Sequence, residues 1–507
     1  MMASRQINVK RALALAKAFN FLHSCATSCL LPFLTLYFRR LGLAPEMTGV
    51  VMGAKHLVSL AWRPLASLMA RFYDKRRAVI NGSVACSAAV ALILLLFPPV
   101  DPPAQSSTCG NVSRPMVPAN ATRGAVTWHI PVGGGNSTLA RSRRSEEDFL
   151  VMDVQHQLFF LVLITVCVWE LVAAPLDWTA DDGLYDYLDF ADASDHYSST
   201  GAWPLLGAAC GAAGAGLLVS RLDCVLSGRT PRSAAHFFCY AGVSALALPL
   251  AAVLPLHLNK ERRKALLKAA RLVRSSRRAL LCAVTAALAG MACSAVDDFL
   301  LWQMQDHGST ELHMGACLGA AWLSQAAFPF LAGQVSRLVT PAKVLSLAAA
   351  VLASQCLYYS FLWGAWAALP AQLLGCFGRG ALWWAVRAQG DDVATPGAER
   401  SVKMLYEALS RDLGGALGSF AGGFVVRHYG VAWLFRGAAA TLAVWCVCLP
   451  LLQWNSPRQH RINYSRLLAA DASDTSDTDS EQERDWLDRA MADDRRENKN
   501  YGRRRRD

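Results

Sequence analysis

The sequence is short of charged residues for its length. Only 17% of its 507 residues are Asp, Glu, Lys or Arg, whereas 53% are hydrophobic, and the mean hydropathy is +0.25. A chain made of several soluble domains would need more charged surface, so this composition argues against one. Apolar windows of about 20 residues recur, and each is long enough to cross a bilayer as a helix. The composition therefore predicts an integral, multi-pass membrane protein in contact with the lipid bilayer.

The chain also lacks the short motifs of soluble enzymes. It has no Walker phosphate-binding loop, no His-Glu-x-x-His motif and no Cys-x-x-Cys pair beside a histidine cluster. We therefore expect no enzyme activity, no ATP-driven transport, no cofactor and no metal site. The net charge of +12 comes mostly from short loops, so it indicates membrane topology and not nucleic-acid binding.

Twelve apolar segments are predicted to cross the membrane, six on each side of a basic stretch. They lie at about 14–38, 47–70, 78–97, 157–177, 201–220, 236–256, 279–303, 312–332, 341–363, 365–387, 401–425 and 430–452. The basic stretch, 257–278, holds nine Lys or Arg residues and one Glu. We interpret it as a cytosolic hinge loop between an N-terminal half, 1–256, and a C-terminal half, 279–453. An amphipathic helix on anionic lipid is compatible with the same stretch.

The basic loops predict that both termini are cytosolic. Four basic residues follow the second segment, namely Arg71, Lys75, Arg76 and Arg77. The loop 304–311 has no Lys or Arg. Because Lys and Arg in short loops stay on the cytoplasmic side, the loop 98–150 is predicted to be extracellular, and its composition predicts little structure. The tail 454–507 is predicted to be disordered and cytosolic.

The loop 98–150 carries three N-glycosylation sequons. Their asparagines are Asn111, Asn120 and Asn136. Clustering in one predicted external loop favours glycosylation. Cys109 in this loop and Cys224 after the fifth segment are the cysteines predicted to lie clearly outside, where oxidising conditions permit them to pair. Two unpaired thiols remain the alternative.

Two features recur at matching places or stand out by composition. Glycines spaced four residues apart predict close helix packing in the fifth and eleventh segments. These glycines are Gly207, Gly211, Gly414, Gly418 and Gly422.

The stretch Asp181–Asp195 holds six aspartates and no Lys or Arg, and we interpret it as a solvated loop or a partner for the basic hinge.

The layout of twelve segments around a basic hinge resembles the major facilitator superfamily. The stretch from Ala70 to Arg77, Ala-Arg-Phe-Tyr-Asp-Lys-Arg-Arg, is similar to the family's loop motif, Gly-x-x-x-Asp-Arg/Lys followed by basic residues, with Ala70 in place of glycine. The equivalent loop of the second half reads Gly333-Gln-Val-Ser-Arg337. The resemblance implies a cytosolic gate motif made of Asp74, Lys75, Arg76, Arg77, Gly333 and Arg337. It also implies that Asp74 lies near the start of the eleventh segment.

Finer details resemble one branch, the domain-containing protein 6 group of this superfamily. They are the stretches 31–43, 299–302 and 414–425. The resemblance implies an all-α membrane protein of two pseudo-symmetric six-helix bundles. It further implies alternating-access transport of a small solute, with proton coupling as an option. One relative is described as a receptor homologue for class I histocompatibility molecules, so a non-transporting receptor or scaffold with a protein ligand remains the alternative.

Ionisable residues inside the segments are candidates for a transport site, because charge within a bilayer is costly and usually faces the protein interior. Segments one, four, seven and ten line the central cavity of this family, which points to His23, Glu170, Asp297, Asp298 and Arg379. These residues are candidates for a substrate or proton pathway, and structural ion pairs are the alternative.

Two further residues are candidates for an extracellular gate. At about 1.5 Å per residue, Lys55 and His56 lie roughly 12 Å below the outer face, close to the depth of Asp297 and Asp298. We therefore predict a charge contact between the second and seventh segments.

Overall fold

The computed structural model describes most of the apolar part of the chain. The described residues are 9–72, 76–98, 137–193, 197, 199–222, 225–226, 230–256, 265–394 and 399–454. In chain order the helices are α1 (Val9–Arg40), α2 (Pro45–Phe72), α3 (Arg76–Ile93), α4 (Ser137–Phe190), α5 (Trp203–Arg221), α6 (Ala234–Val253), α7 (Ala265–Ser275), α8 (Arg277–Asp306), α9 (Glu311–Leu338), α10 (Pro341–Tyr359), α11 (Leu369–Leu373), α12 (Arg379–Val393), α13 (Glu399–Glu407), α14 (Gly415–Tyr429) and α15 (Val431–Trp454). Two short strands, β1 (Val225–Leu226) and β2 (Thr230–Pro231), pair antiparallel.

Nine of the helices are long and apolar enough to cross a membrane, counted over the described residues. The other three predicted segments correspond to α2, to α11 with α12, and to α13 with α14. Helix α2 is less apolar because it carries Lys55, His56 and Arg63. The other two are interrupted, by a 3-10 turn at Leu374–Cys376 and by π-helical backbone at Ala408–Gly414. Each predicted segment is therefore helical, and the predicted all-α membrane fold class is confirmed.

Two stretches predicted to be loops contain helix. Helix α4 starts at Ser137, so the end of the predicted loop 98–150 is helical. Within the basic hinge 257–278, α7 is amphipathic, with Ala269 and Val273 buried and Arg271 and Arg274 exposed. Its apolar residues recur with helical spacing, which the count of basic residues alone did not reveal.

Several predicted features lie outside the described residues. They are Asp74, Lys75, Cys109, Asn111, Asn120, Asn136, Cys224 and the tail from residue 455.

The helices pack as two groups that meet along two seams. In the first group α1 packs on α5 and α6, while α4 packs on α2 and α3. In the second, α8 packs on α14 and α15, and α10 packs on α12 and α15. The groups meet where α2 packs on α14 and where α5 packs on α9.

Glycines bring the helices within each group into backbone contact. Gly207 and Gly211 of α5 lie against α1, and Gly414 and Gly418 lie against α8. A Cβ at any of these four positions would lie 2.5 Å or less from a backbone carbonyl oxygen of the neighbouring helix. The packing predicted from the glycine spacing is therefore present at these positions.

The two seams between the groups are also made of glycine pairs. Gly49 of α2 faces Gly423 of α14, and a Cβ added to Gly49 would lie 2.7 Å from the Gly423 Cα. Gly216 of α5 faces Gly315 of α9, where the corresponding distance from Gly216 is 2.8 Å. The glycines of α5 and α14 thus repeat with the same spacing in the two halves, as expected for a pseudo-symmetric pair of bundles.

Candidate functional site

Solvent-accessible charged side chains lie in the middle of the bundle. Asp177 of α4 and Asp297 of α8 are 51% and 55% exposed, although each pairs with a residue of another helix. Asp177 lies 3.1 Å from Nε2 of His23 on α1, and Asp297 lies 2.6 Å from Arg379 on α12. Asp177 is also within electrostatic reach of Arg411, in the other half. Asp177 thus lies close to the second half, and both carboxylates reach solvent. We call the solvent-accessible region beside Asp177, Asp297 and Arg411 the central cavity.

A break in the tenth segment positions Arg379. The predicted segment 365–387 is helical but interrupted, because α11 ends at Leu373 and α12 starts only at Arg379. The Gln355 side chain of α10 donates to the Ala371 carbonyl at 2.6 Å and so satisfies one backbone group near the break. Arg379 then donates to both carboxylate oxygens of Asp297, at 2.6 and 3.1 Å, and to the Cys293 carbonyl at 3.3 Å. Interrupted helices of this kind are tolerated where they line a cavity or are buried in protein.

A chain of buried charges crosses from one half to the other. Glu170 of α4 lies 3.8 Å from Lys55 and 3.9 Å from Arg63, both on α2. Arg63 also lies 3.1 Å from Asp412, in the π-helical turn between α13 and α14. All four side chains are at most 16% exposed. We call Lys55, Glu170, Arg63 and Asp412 the charge chain.

The sequence pattern predicts only part of these groups. Glu170 and Lys55 were candidates, whereas Arg63, Asp177 and Asp412 were not. A full count of ionisable residues in the predicted segments 157–177 and 401–425 contains both missed aspartates. The π-helical turn that carries Asp412 is a further structural signal, since such turns are frequent at functional sites.

The predicted contact between Lys55 or His56 and the aspartates of α8 is not among the ion pairs of the described residues, and it stays a prediction. Among the described residues Lys55 pairs with Glu170, and Asp297 pairs with Arg379. Helix α2 packs on α4 in its own half, so a carboxylate on α4 is the nearer partner for Lys55. The ring of His56 lies against Gly415 of α14, where it is 3.0 Å from an added Cβ.

Asp298 sits beside Asp297 but in a different environment. It is 3% exposed, and its Oδ2 accepts from Ser419 of α14 at 2.5 Å. Ser294 is 3.5 Å from the same oxygen and donates to the Gly415 carbonyl at 3.0 Å. The two adjacent aspartates therefore differ in both exposure and partners.

One end of the bundle is closed by ion pairs between the halves, and we call it the Glu311 end. Glu311 of α9 binds Arg40 at 2.6 Å and Arg232 at 2.7 Å. Arg39 binds Asp306 at 2.6 Å. Each of these ion pairs joins the first half to the second, so they bridge the two halves at this end.

The opposite end is closed by Arg400 of α13, and we call it the Arg400 end. Arg400 binds Asp181 at 2.6 Å and Asp182 at 3.2 Å, both on α4. Its guanidinium lies 4.6 Å from the ring centre of Tyr185 and 5.6 Å from that of Tyr197. Burial and the neighbouring Asp181 raise the pKa of Tyr197, whose hydroxyl donates to Asp181. The first part of the predicted Asp-rich loop is therefore helix, and its aspartates bind arginine side chains.

In the described part of the predicted gate motif, Arg76 forms an ion pair and the other residues are exposed. Arg76 is buried and binds Asp186 of α4 at 2.9 Å. Arg77, Gly333 and Arg337 are exposed, and no atom lies within 4 Å of an added Cβ at Gly333.

Comparison with known proteins identifies the family. The model of the MFS_1 like family matches residues 13–437. The chain belongs to this family. Its relatives include the major facilitator superfamily domain-containing protein 6-like of Danio rerio, 48% identical over 98% of each chain. The protein of the same description from Homo sapiens is 33% identical over 97% of this chain and 99% of its own.

Solved structures share the fold at low identity. The nucleoside transporter NupG is 14% identical with a TM-score of 0.62, covering 88% of this chain and all of that one. A bacterial homologue of the human lysosomal transporter Spinster, in an inward-facing conformation, is 13% identical with a TM-score of 0.54 over 89% and 96%. Family and fold together support an integral, multi-pass membrane transporter.

Proposed function

We propose that the protein moves a small solute by alternating access, with 1–256 and 279–453 as the two bodies that move. The charge chain is the observation that carries this proposal. Burying ion pairs costs desolvation and adds little net stability, so a chain of charges between two bodies is a poor device for holding them together. It is suited to an interface whose pairs break and re-form as access changes.

The central cavity favours a solute that is itself charged or zwitterionic. Asp177 and Asp297 offer half-exposed carboxylates in it. Arg411 offers a guanidinium that is 57% exposed and lies 6.0 Å from the Trp383 ring centre. Charges of both signs beside an aromatic face can orient a small molecule that carries both.

We also propose that transport is coupled to protons and that both termini are cytosolic. Carboxylates and a histidine in the central cavity support the first point, since such groups can change protonation as access alternates. The basic loops and α7 support the second. The receptor or scaffold alternative depends on the loop 98–150, most of which lies outside the described residues.

Uptake into proteoliposomes tests the transport proposal. Purified protein is reconstituted and screened with radiolabelled amino acids, organic anions and nucleosides, with and without a pH gradient. We expect at least one charged solute to accumulate above protein-free liposomes, and Asp297→Asn to reduce that uptake at least tenfold. Asp189→Asn, at an exposed aspartate of α4, is the matched control. Failure of the whole panel, together with no exchange of preloaded solute, would contradict the proposal.

A further inference from the structure

The buried carboxyl groups of the described residues differ in one respect, which is whether a cation lies beside them. They are Glu170, Asp182, Asp186, Asp298, Glu311 and Asp412. All except Asp298 lie within 4.0 Å of an arginine or lysine nitrogen. Asp298 contacts the hydroxyl groups of Ser294 and Ser419. Within the described part of the chain it is thus the one buried acid without a cationic partner.

A carboxyl group in this situation is held as the neutral acid. A buried carboxylate without a counter-charge is far more costly than the neutral form, which needs only hydrogen bonds. Two serine hydroxyls can donate to or accept from a protonated carboxyl group. The surroundings of Asp298 therefore suit a bound proton.

The groups that face Asp298 leave one cation available to it. Asp297, on the same helix, is already bound to Arg379 of α12. Helix α14 contributes Ser419, and Asp412 of the π-helical turn is bound to Arg63. Helix α2 lies on the same side, because the His56 ring packs against Gly415, whose carbonyl accepts from Ser294. Lys55 precedes His56 on α2 and is the cation available from that helix, since Arg63 is bound to Asp412.

We propose that Asp298 is the proton-binding residue of the transport cycle and that, on losing its proton, it takes Lys55 from Glu170. This inference rests on the proposed transport function. The carboxyl O–H bond breaks, the proton leaves to water in the central cavity, and the resulting carboxylate attracts the Lys55 ammonium. Glu170 keeps a cationic neighbour, because Arg63 is 3.9 Å away. Since Lys55 and Asp298 belong to different halves, the exchange of partners draws α2 toward α8.

Infrared spectroscopy tests the proton site without needing a transported solute. The protein, in phosphatidylcholine vesicles, is titrated with acid and base while the carbonyl band of protonated carboxyl groups is followed. Because the chain has 38 Asp and Glu residues, the relevant signal is a carbonyl component that titrates above the range of exposed carboxyl groups. We expect this component in the wild type and in Asp189→Asn, a variant at an exposed aspartate of α4. Asp298→Asn, which keeps the size of the side chain, should lose it. A band that persists in Asp298→Asn would overturn the assignment.

Two further variants test the surroundings of the site. Lys55→Gln removes the cation that stabilises the carboxylate, so the midpoint of the band should rise by about one pH unit or more. Ser419→Ala removes a hydrogen-bond donor to the carboxylate, so it should raise the midpoint of the band by a similar amount. Unchanged midpoints in both variants would contradict the exchange of partners. Replacing sodium with choline should leave the band and its midpoint unchanged. Loss of the band in sodium at fixed pH would assign the site to a metal cation.

Spin labels test the motion that the exchange should produce. Exposed Arg77 and Arg337, one in each half, are replaced by labelled cysteines, and their distance is measured at low and high pH. We expect a pH-dependent distance that Asp298→Asn abolishes and that Asp189→Asn, at an exposed aspartate of α4, retains. A titrating band without uptake of any solute would contradict the transport function alone. Uptake without a band at Asp298 would contradict this inference alone.

Discussion

At the scale of single residues, the buried pair of Arg76 and Asp186 shows how an ionisable side chain is accommodated inside this protein. Both side chains are almost fully buried and lie 2.9 Å apart. Removing one partner leaves the other charge buried and uncompensated, which costs more than the intact pair contributes.

We predict that Asp186→Asn lowers the free energy of unfolding by about 3 kcal/mol or more. The physical reason is that the buried Arg76 guanidinium would lose the carboxylate that lies 2.9 Å from it. Chemical denaturation in detergent, followed by tryptophan fluorescence, measures the change. Arg77→Ala, at the exposed neighbour, should alter the unfolding free energy by less than about 0.5 kcal/mol. Equal effects of the two variants would show that Arg76 does not depend on Asp186.

The sequence predicts which residues are polar and interior, but not how they pair. An ionisable side chain in an apolar segment must face protein or water, so His23, Glu170, Asp297 and Arg379 were found as candidates. The depth of a residue along its helix fixes one coordinate, and pairing depends on helix rotation and on which helix packs alongside. For that reason Lys55 was assigned to the aspartates of α8, although Glu170 of the adjacent α4 binds it.

At the scale of helices, glycine contacts determine how closely the elements approach. Gly211 of α5 lies against α1, and Gly418 of α14 lies against α8. In both contacts an added Cβ would lie 2.2 Å from a backbone carbonyl oxygen of the neighbouring helix. The spacing of these glycines is readable in the sequence, so this packing was predictable. The break after α11 was missed, although Gly375, Gly378 and Gly380 mark it in the sequence. Its geometry also depends on the contact between Gln355 of α10 and the Ala371 carbonyl.

We predict that Gly418→Ala destabilises the protein by about 1–3 kcal/mol, since a Cβ would lie 2.2 Å from the Met291 carbonyl oxygen and backbone cannot move aside cheaply. Gly437→Ala in α15 is the control, because no atom lies within 4 Å of the added Cβ. It should leave stability unchanged or raise it by up to about 1 kcal/mol through helix propensity. Thermal unfolding in the same detergent compares them. A smaller effect at Gly418 than at Gly437 would argue against tight packing there.

At the scale of the whole molecule, ion pairs bridge the two halves at both ends. A change of access must break Arg400 from Asp181 at one end, or Glu311 from Arg40 and Arg232 at the other. Removing pairs at one end shifts the population toward conformations open at that end, by as much as those pairs favoured closure.

We predict that Arg400→Ala and Glu311→Ala shift the equilibrium in opposite directions. With spin labels at Arg77 and Arg337, both at the Arg400 end, Arg400→Ala should add a longer-distance population. Glu311→Ala should not add it. The same long-distance population in both variants would mean that the ends are not alternately closed.

The matched glycines have a consequence for the history of the protein. Because Gly207, Gly211 and Gly216 repeat the spacing of Gly414, Gly418 and Gly423, a single ancestral stretch of six helices, copied and joined end to end, accounts for both seams. In that register His56 of α2, next to Lys55, corresponds to Trp322 of α9. Matching positions of the two halves therefore carry an ionisable ring in one half and an indole in the other, so the halves are alike in packing and unlike in chemistry.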